Sequence, residues 1–304
     1  MNKRYYHQVE LLLTVLPSLA KIDNFALKGG TAINLFFRDM PRLSVDIDLA
    51  LVPLLDRKES ISLIDKNLKI FTEEIKNRYP NIQIIPRPSI DTYTRSLLVS
   101  NSQSQIKIEV NDIIRGSVFP CELKELCPQA QNEFSKYMEV STYSFYDLFA
   151  GKICAALDRQ HPRDLFDVKL LLENDKFDDT LRKTFIVYLI SHNRPISELI
   201  DPHRLDISEQ FKNNFEGMTL QAVSQNQLEI VREEIINLTT NLSDKEKEFL
   251  ISFKSANPDW DLLGLDNIDR LPAVQWKLHN ISKMSKDKHQ KALEQLKKKL
   301  KLFY

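Results

Sequence analysis

Between Leu27 and Leu49 the chain reads LKGGTAINLFFRDMPRLSVDIDL, a glycine pair opening an apolar helix and, about fifteen residues on, two aspartates inside a hydrophobic strand. The whole chain holds only six glycines, so Gly29 and Gly30 side by side mark a backbone turn. Thr31 to Phe37 has helical spacing, with Ile33, Phe36 and Phe37 turned inward. Ser44 to Leu51 reads as a strand. Alternation along it puts Asp46 and Asp48 on one face and Val45, Ile47 and Leu49 on the other. Adjacent carboxylates repel unless a cation lies between them. Their hard oxygens suit Mg²⁺, which is commonly held by one or two carboxylates plus substrate phosphates. A helix N-terminus behind a glycine turn suits an anion, because its N–H groups and dipole point outward. Together the two halves point to nucleotide chemistry.

The rest of the chain fits an α+β protein. Residues 5–16 are helical in spacing, with Pro17 ending or kinking the run, and Phe25 to Lys28 is a short strand feeding the glycine turn. Residues 58–78 form a charged amphipathic helix. Strands are expected at Asn81–Pro86 and Tyr93–Ser100. Gln105–Asn111 alternates polar and apolar residues, placing Lys107 and Glu109 on the polar face. Asp147–Leu157 and Asp164–Leu172 are expected helices, separated by His161-Pro162. Strand patterns nearly vanish after residue 175. The expected organisation is a catalytic domain over 1–175, with a mixed sheet flanked by helices, and a helical domain over 176–304. The latter ends in a basic helix, with eight lysines from Lys283 to Lys301 against Asp287 and Glu294. Such a helix is either a solvated face or a contact to RNA phosphates.

Composition removes several classes. Lys plus Arg and Asp plus Glu number 42 each, so any argument for nucleic acid must be local. Three cysteines without a C-x-x-C pair predict reduced thiols rather than a disulfide framework. The six histidines lack ligand spacing for zinc, and neither G-x-x-x-x-G-K-[ST] nor G-x-S-x-G occurs. The opening MNKRYYHQVELLL has no secretory pattern and no apolar run is long enough to span a bilayer, so a cytoplasmic protein with no membrane partner is expected.

The combination KGGTAINLF with RLSVDIDL resembles the signature of the DNA polymerase β-like nucleotidyltransferases, and more closely the AbiEii/AbiGii toxin family. A second block, LFAGKICAALDR from Leu148 to Arg159 followed by RDLFDV from Arg163 to Val168, is similar to that family's lysine–arginine helix and acidic motif. LPAVQWKL from Leu271 is a weaker echo. The resemblance implies a nucleotidyltransferase fold and transfer of a nucleoside monophosphate from an NTP, with Mg²⁺ and release of pyrophosphate. It implies an RNA acceptor, the tRNA 3′ end foremost, and a cognate antitoxin. Alternatives are a small-molecule or protein acceptor, or a non-catalytic nucleotide-binding module.

Asp46 and Asp48 are the expected metal ligands. Glu109 is the candidate third acid, with Asp112 a nearby rival and Asp91 a distant one. Gly29, Gly30 and Thr31 are expected to cradle phosphates, with Ser44 on the strand face of Asp46 and Arg42 either near the site or a plain surface charge; Lys28 is left out of the metal site. Lys152 sits in an apolar helix and needs a partner for its charge, which the resemblance assigns to the triphosphate. Asp164 is placed either to cap its helix or, with Asp167, to serve the active site as the resemblance implies. Arg159 and Arg163 could contact phosphate or pair with these acids.

Overall fold

The computed structural model describes residues 3–88 and 93–301. These fall into two compact units, one comprising residues 1–148 and 216–222, the other 149–215 and 223–304. The division in space therefore comes at Leu148, earlier than the expected 175, and it is not a single cut in the sequence. The residues from Phe149 to Asn174, helical except at Gln160 and His161, group with the second unit, and the helix Pro162–Asn174 packs on the later helix Gln225–Thr240.

In the first unit, α1 (Lys3–Val15) buries Val9, Leu12 and Leu13, and a 3₁₀ turn from Leu16 to Lys21 follows around Pro17. β1 (Phe25–Lys28) leads directly into α2 (Gly29–Ala32). The helix continues as a π turn over Ile33–Phe37, closed by the Arg38 N–H donating to the Ile33 carbonyl at 2.8 Å. β2 (Ile47–Leu51) is shorter than expected: residues 43–46 are not paired in a strand, and the Asp46 carbonyl is taken by the Thr31 hydroxyl. α3 (Arg57–Arg78) starts on Asp56, whose carboxylate accepts the Glu59 N–H at 2.8 Å. Its buried Ile64, Leu68, Phe71 and Ile75 recur every three or four residues, making one apolar face.

β3 (Gln83–Pro88) and β4 (Thr94–Ser100) form an antiparallel pair that continues into β5 (Gln105–Asn111). The alternation in β5 is as expected: Ile106, Ile108 and Val110 are buried. Two strands were not legible in the sequence, β6 (Glu122–Glu125) and β7 (Glu139–Thr142), which flank α4 (Pro128–Phe134). They are four residues each, too short to carry a clear period, and β6 lies at the sheet edge. The seven strands run in the order β3-β4-β5-β2-β1-β7-β6. β2 and β5 are parallel, as are β1 and β7, so the sheet is mixed.

The segment Glu216–Ala222 returns to this unit from far along the chain. It pairs through an antiparallel bridge between Thr219 and Arg42.

α5 (Phe145–Arg159) crosses the division between the units. The second unit is helical: α6 (Pro162–Asn174), α7 (Asp179–Ser191), α8 (Ile196–Ile200), α9 (Ser208–Asn214), α10 (Gln225–Thr240), α11 (Asp244–Lys254), α12 (Pro272–Ser282) and α13 (Lys286–Lys299). α10 and α11 each open with a serine capping box. α7 carries the most continuous core, with Phe185 to Ile190 all buried. No helix among the described residues is long and apolar enough to cross a membrane.

Candidate active site

The glycine turn and the acid pair meet. Gly29 has φ +72°, a conformation that disfavours any side chain. A Cβ there would also lie 2.5 Å from Asp48 Oδ2. Gly29 thus permits both the turn and the approach of the carboxylate. A Cβ on Gly30 would stand 2.7 Å from Arg42 Nη2 and 3.0 Å from Ser44 Oγ. The buried Thr31 hydroxyl donates to the Asp46 carbonyl at 2.5 Å and lies 3.0 Å from Ser44 Oγ. A hydroxyl has one proton, so Ser44 is the donor in the second contact. Turn and acid pair are therefore joined by packing at Gly29 and by hydrogen bonds at Thr31.

Burial alternates from Val45 to Leu49: Val45, Ile47 and Leu49 are buried, whereas Asp46 and Asp48 are half-buried. Strand register places further charges beside Asp48. Lys28 is its antiparallel partner on β1 and Glu109 its parallel partner on β5. Directly paired residues share a face, so Lys28, Asp48 and Glu109 form one row across three strands. Lys28 also lies over the Tyr143 ring, 6.0 Å from its centre.

Glu109 is beside Asp48 by register, yet its carboxylate is held by cations. Arg95 Nη2 is 3.0 Å from one oxygen and Lys107 pairs with the other. Arg95 also reaches Asp112 at 3.7 Å, and Asp112 accepts the Tyr93 hydroxyl. Both candidates for a third acid thus share Arg95. Among the described residues, no group of three or more His, Cys, Asp or Glu side chains is gathered as a metal cluster. Asp91 lies outside the described residues. The donor set suits a hard cation at Asp46 and Asp48. Glu109 could join them only by exchanging its ion pairs.

The second unit holds the other candidates. Lys152 is 6% exposed, and its charge is met within the chain: Nζ lies 2.8 Å from Asp164 Oδ1 and 3.0 Å from Asp167 Oδ2. Both acids are about 1% exposed. Arg159 clasps Asp164 as a fork, Nε to Oδ2 at 2.6 Å and Nη2 to Oδ1 at 3.0 Å. Burial alone would raise the Asp164 carboxyl's pKa. The Lys152 charge and the Arg159 hydrogen bonds outweigh it, holding the group well below the usual carboxylate range. Asp164 does not cap α6. That place is taken by His161, whose Nδ1 accepts the Arg163 N–H at 3.1 Å. Asp164 points instead to the two cations, a stronger partner for a buried carboxylate than a backbone N–H.

Two neighbours, Lys28 and Arg95, escaped the sequence reading, and a third, Arg42, was left open by it. Lys28 was set aside, though pairing β1 with β2 places it opposite Asp48. Arg42 is 2% exposed rather than a surface charge, because its guanidinium packs against Gly30 and donates to the Leu43 carbonyl at 3.0 Å. Arg95 bridges Glu109 and Asp112 through its ion pairs, a relation that strand pairing alone would miss, since the β4–β5 register sets Ser96 opposite Glu109.

Comparison with known proteins bears on this arrangement. No curated protein matches the chain in sequence. Among solved structures it is similar to MenT4, the nucleotidyltransferase toxin Rv2826c from Mycobacterium tuberculosis H37Rv. The TM-score is 0.60 at 16% identity, over 92% of this chain and 97% of that one, and the likeness is one of fold. A match to the E. coli MS115-1 CdnC:HORMA-deltaN complex, at 14% identity over 89% of this chain and 90% of that one, has a TM-score of 0.24 and carries no weight. The family described as "Nucleotidyl transferase AbiEii toxin, Type IV TA system" matches residues 10–280, nine-tenths of the sequence and both units. With the glycine turn and the acid pair both inside that span, the chain belongs to the AbiEii family of nucleotidyltransferase toxins of type IV toxin–antitoxin systems.

Proposed function

We propose that this toxin transfers a nucleoside monophosphate from an NTP to the 3′ end of a tRNA, releasing pyrophosphate. The observation that supports this most is the join between turn and acids: Gly29 packed on Asp48, and Thr31 bonded to the Asp46 carbonyl. One structural unit thereby offers an anion-binding helix start next to a pair of hard-oxygen donors.

In this reading the first-turn N–H groups of the Gly29–Phe37 helical run, left without intrahelical partners, orient the triphosphate. Asp46 and Asp48 would hold Mg²⁺, and Glu109 would join them only on giving up its ion pairs with Arg95 and Lys107. When bound, the cation would supply positive charge where negative charge gathers on the phosphate oxygens in the transition state. Thr31 and Ser44 fix the backbone of the acid pair. In the second unit, Lys152 with Asp164 and Asp167 forms a rigid buried ion cluster. Arg159, whose side chain is 60% exposed, is its solvent-facing cation and the candidate for phosphate contact. A cognate antitoxin follows from membership of a type IV system.

The test is transfer of label from α-³²P NTPs to purified tRNA with Mg²⁺, for the wild type and Asp46→Ala. Loss of transfer in the variant supports the reading. Undiminished transfer removes Asp46 from it. Labelling of a small molecule or protein in cell extract, with tRNA untouched, would favour another acceptor.

A further inference from the structure

The loop leading to the acid pair is bonded at its start to Ile33 and Asn34, but from Pro41 to Leu43 its backbone is held from far along the chain. Leu43 N–H donates to the Met218 carbonyl at 2.9 Å, and Leu220 N–H donates to the Pro41 carbonyl at 3.0 Å. Between them Arg42 and Thr219 form the antiparallel bridge. The segment Glu216–Ala222 is thus a strap, reaching back some 175 residues to pair with Pro41–Leu43, while the residues before and after it belong to the second unit. Met218 is 1% exposed, anchoring the strap, whereas Leu220 is 44% exposed. Gly217, at φ +77°, sets the bend with open space where a Cβ would stand.

From the strap a chain of contacts runs to the acids. The bridge fixes the backbone of Arg42, whose buried guanidinium lies against Gly30. Ser44, two residues on, meets the same face of Gly30 and donates to Thr31. Thr31 in turn holds the Asp46 carbonyl. Every link is a hydrogen bond or a close contact within one unit. Residues 43–46 have no ladder partner of their own apart from the Leu43 bond to the strap.

We propose that the strap Glu216–Ala222 is a positioning element of the catalytic site. It sets Arg42 against Gly30 and so fixes the glycine turn and Asp46 relative to each other. The proposal rests on the nucleotidyl-transfer reading above. Its consequence is that turnover depends on a peptide N–H far from the chemistry, at Leu220. Displacements of about 1 Å at a reacting centre can cost roughly 100-fold in rate.

Two substitutions at one exposed position separate backbone from side chain. Leu220→Pro removes the N–H that bonds Pro41, and Leu220→Ala keeps it. We expect Leu220→Pro to exchange amide hydrogens faster over residues 41–46 and to lose roughly 10- to 100-fold in kcat/KM for the NTP. The loss should fall on kcat more than on KM, with the main melting transition retained. Leu220→Ala should match the wild type. Wild-type turnover in Leu220→Pro despite faster exchange over 41–46 would overturn the proposal, as would an equal loss in both variants. If Leu220→Pro has no cooperative melting transition, Gly217→Ala decides: it strains the bend at φ +77° without a steric clash, and undiminished turnover there also overturns the proposal. Asp46→Ala, measured alongside, tells the two claims apart. An active Asp46→Ala defeats the reading of the site itself. An inactive Asp46→Ala with an active Leu220→Pro defeats the strap alone.

Discussion

Replacing Lys152 by methionine tests what the buried ion cluster contributes. The side chain keeps most of its length and loses its charge. Asp164 and Asp167, each about 1% exposed, then lose a cation that stands 2.8 and 3.0 Å away. Arg159 remains on Asp164, so one carboxylate keeps a partner while Asp167 loses its Lys152 contact. Breaking a buried pair by removing one member costs about 3–5 kcal/mol, because the survivor stays charged in a poor solvent. For a unit of 150 to 250 residues, each kcal/mol lowers Tm by roughly 2–4 °C. The expected fall is therefore about 6–20 °C by calorimetry. Adding Asp167→Asn to Lys152→Met should restore part of it, since it removes the carboxylate charge that faced the lysine while Asp164 keeps Arg159. The non-additivity should be roughly 0.5–3 kcal/mol. A Lys152→Met protein melting within about 2 °C of the wild type would refute the claim that this lysine is held by buried charges.

Acid sensitivity follows from the same cluster. The folded Asp164 carboxyl lies below its unfolded value, so its stabilisation is complete above the unfolded pKa near ~3.9 and fades as pH falls toward the folded value. The gap in Tm between wild type and Asp164→Asn should shrink from pH 6 to pH 3, and a constant gap would argue against it. Gly29→Ala brings a methyl group 2.5 Å from Asp48 Oδ2 at a left-handed φ, so it should cost about 1–3 kcal/mol and weaken Mn²⁺ binding measured by electron paramagnetic resonance. Gly30→Ala meets Arg42 Nη2 at 2.7 Å and Ser44 Oγ at 3.0 Å but carries no left-handed φ, so it should cost less than Gly29→Ala. The thiols should be sluggish: burial pushes Cys154 far up and Cys121 and Cys127 up to about 11, so a disulfide reagent at pH 8 should react slowly until denaturant is added. A fast native reaction would show that one of them is open to solvent.

Much of the first unit was legible because its elements follow their own periods. The strand at Gln105–Asn111 and the helix at residues 58–78 come where apolar spacing puts them. The turn and the acid pair were legible because only glycine tolerates φ +72° against a carboxylate, and the sequence holds few glycines. What the sequence hid is what depends on pairing between distant segments. β6 and β7 are too short to show a period. The strap at 216–222 sits within otherwise helical sequence and acquires its meaning from Pro41 and Leu43. Lys152 was rightly singled out as a charge needing a partner. Spacing along one helix could not reveal that Asp164 and Asp167 on the next would supply it.

The most direct test of the central claim is anomalous diffraction from crystals grown with Mn²⁺ and a non-hydrolysable NTP. The account predicts a metal peak roughly 2–2.5 Å from carboxylate oxygens of both Asp46 and Asp48, with nucleotide phosphates on the same metal and against the Gly29–Thr31 turn. A well-occupied metal–nucleotide complex bound elsewhere, leaving Asp46, Asp48 and the glycine turn bare, would contradict it.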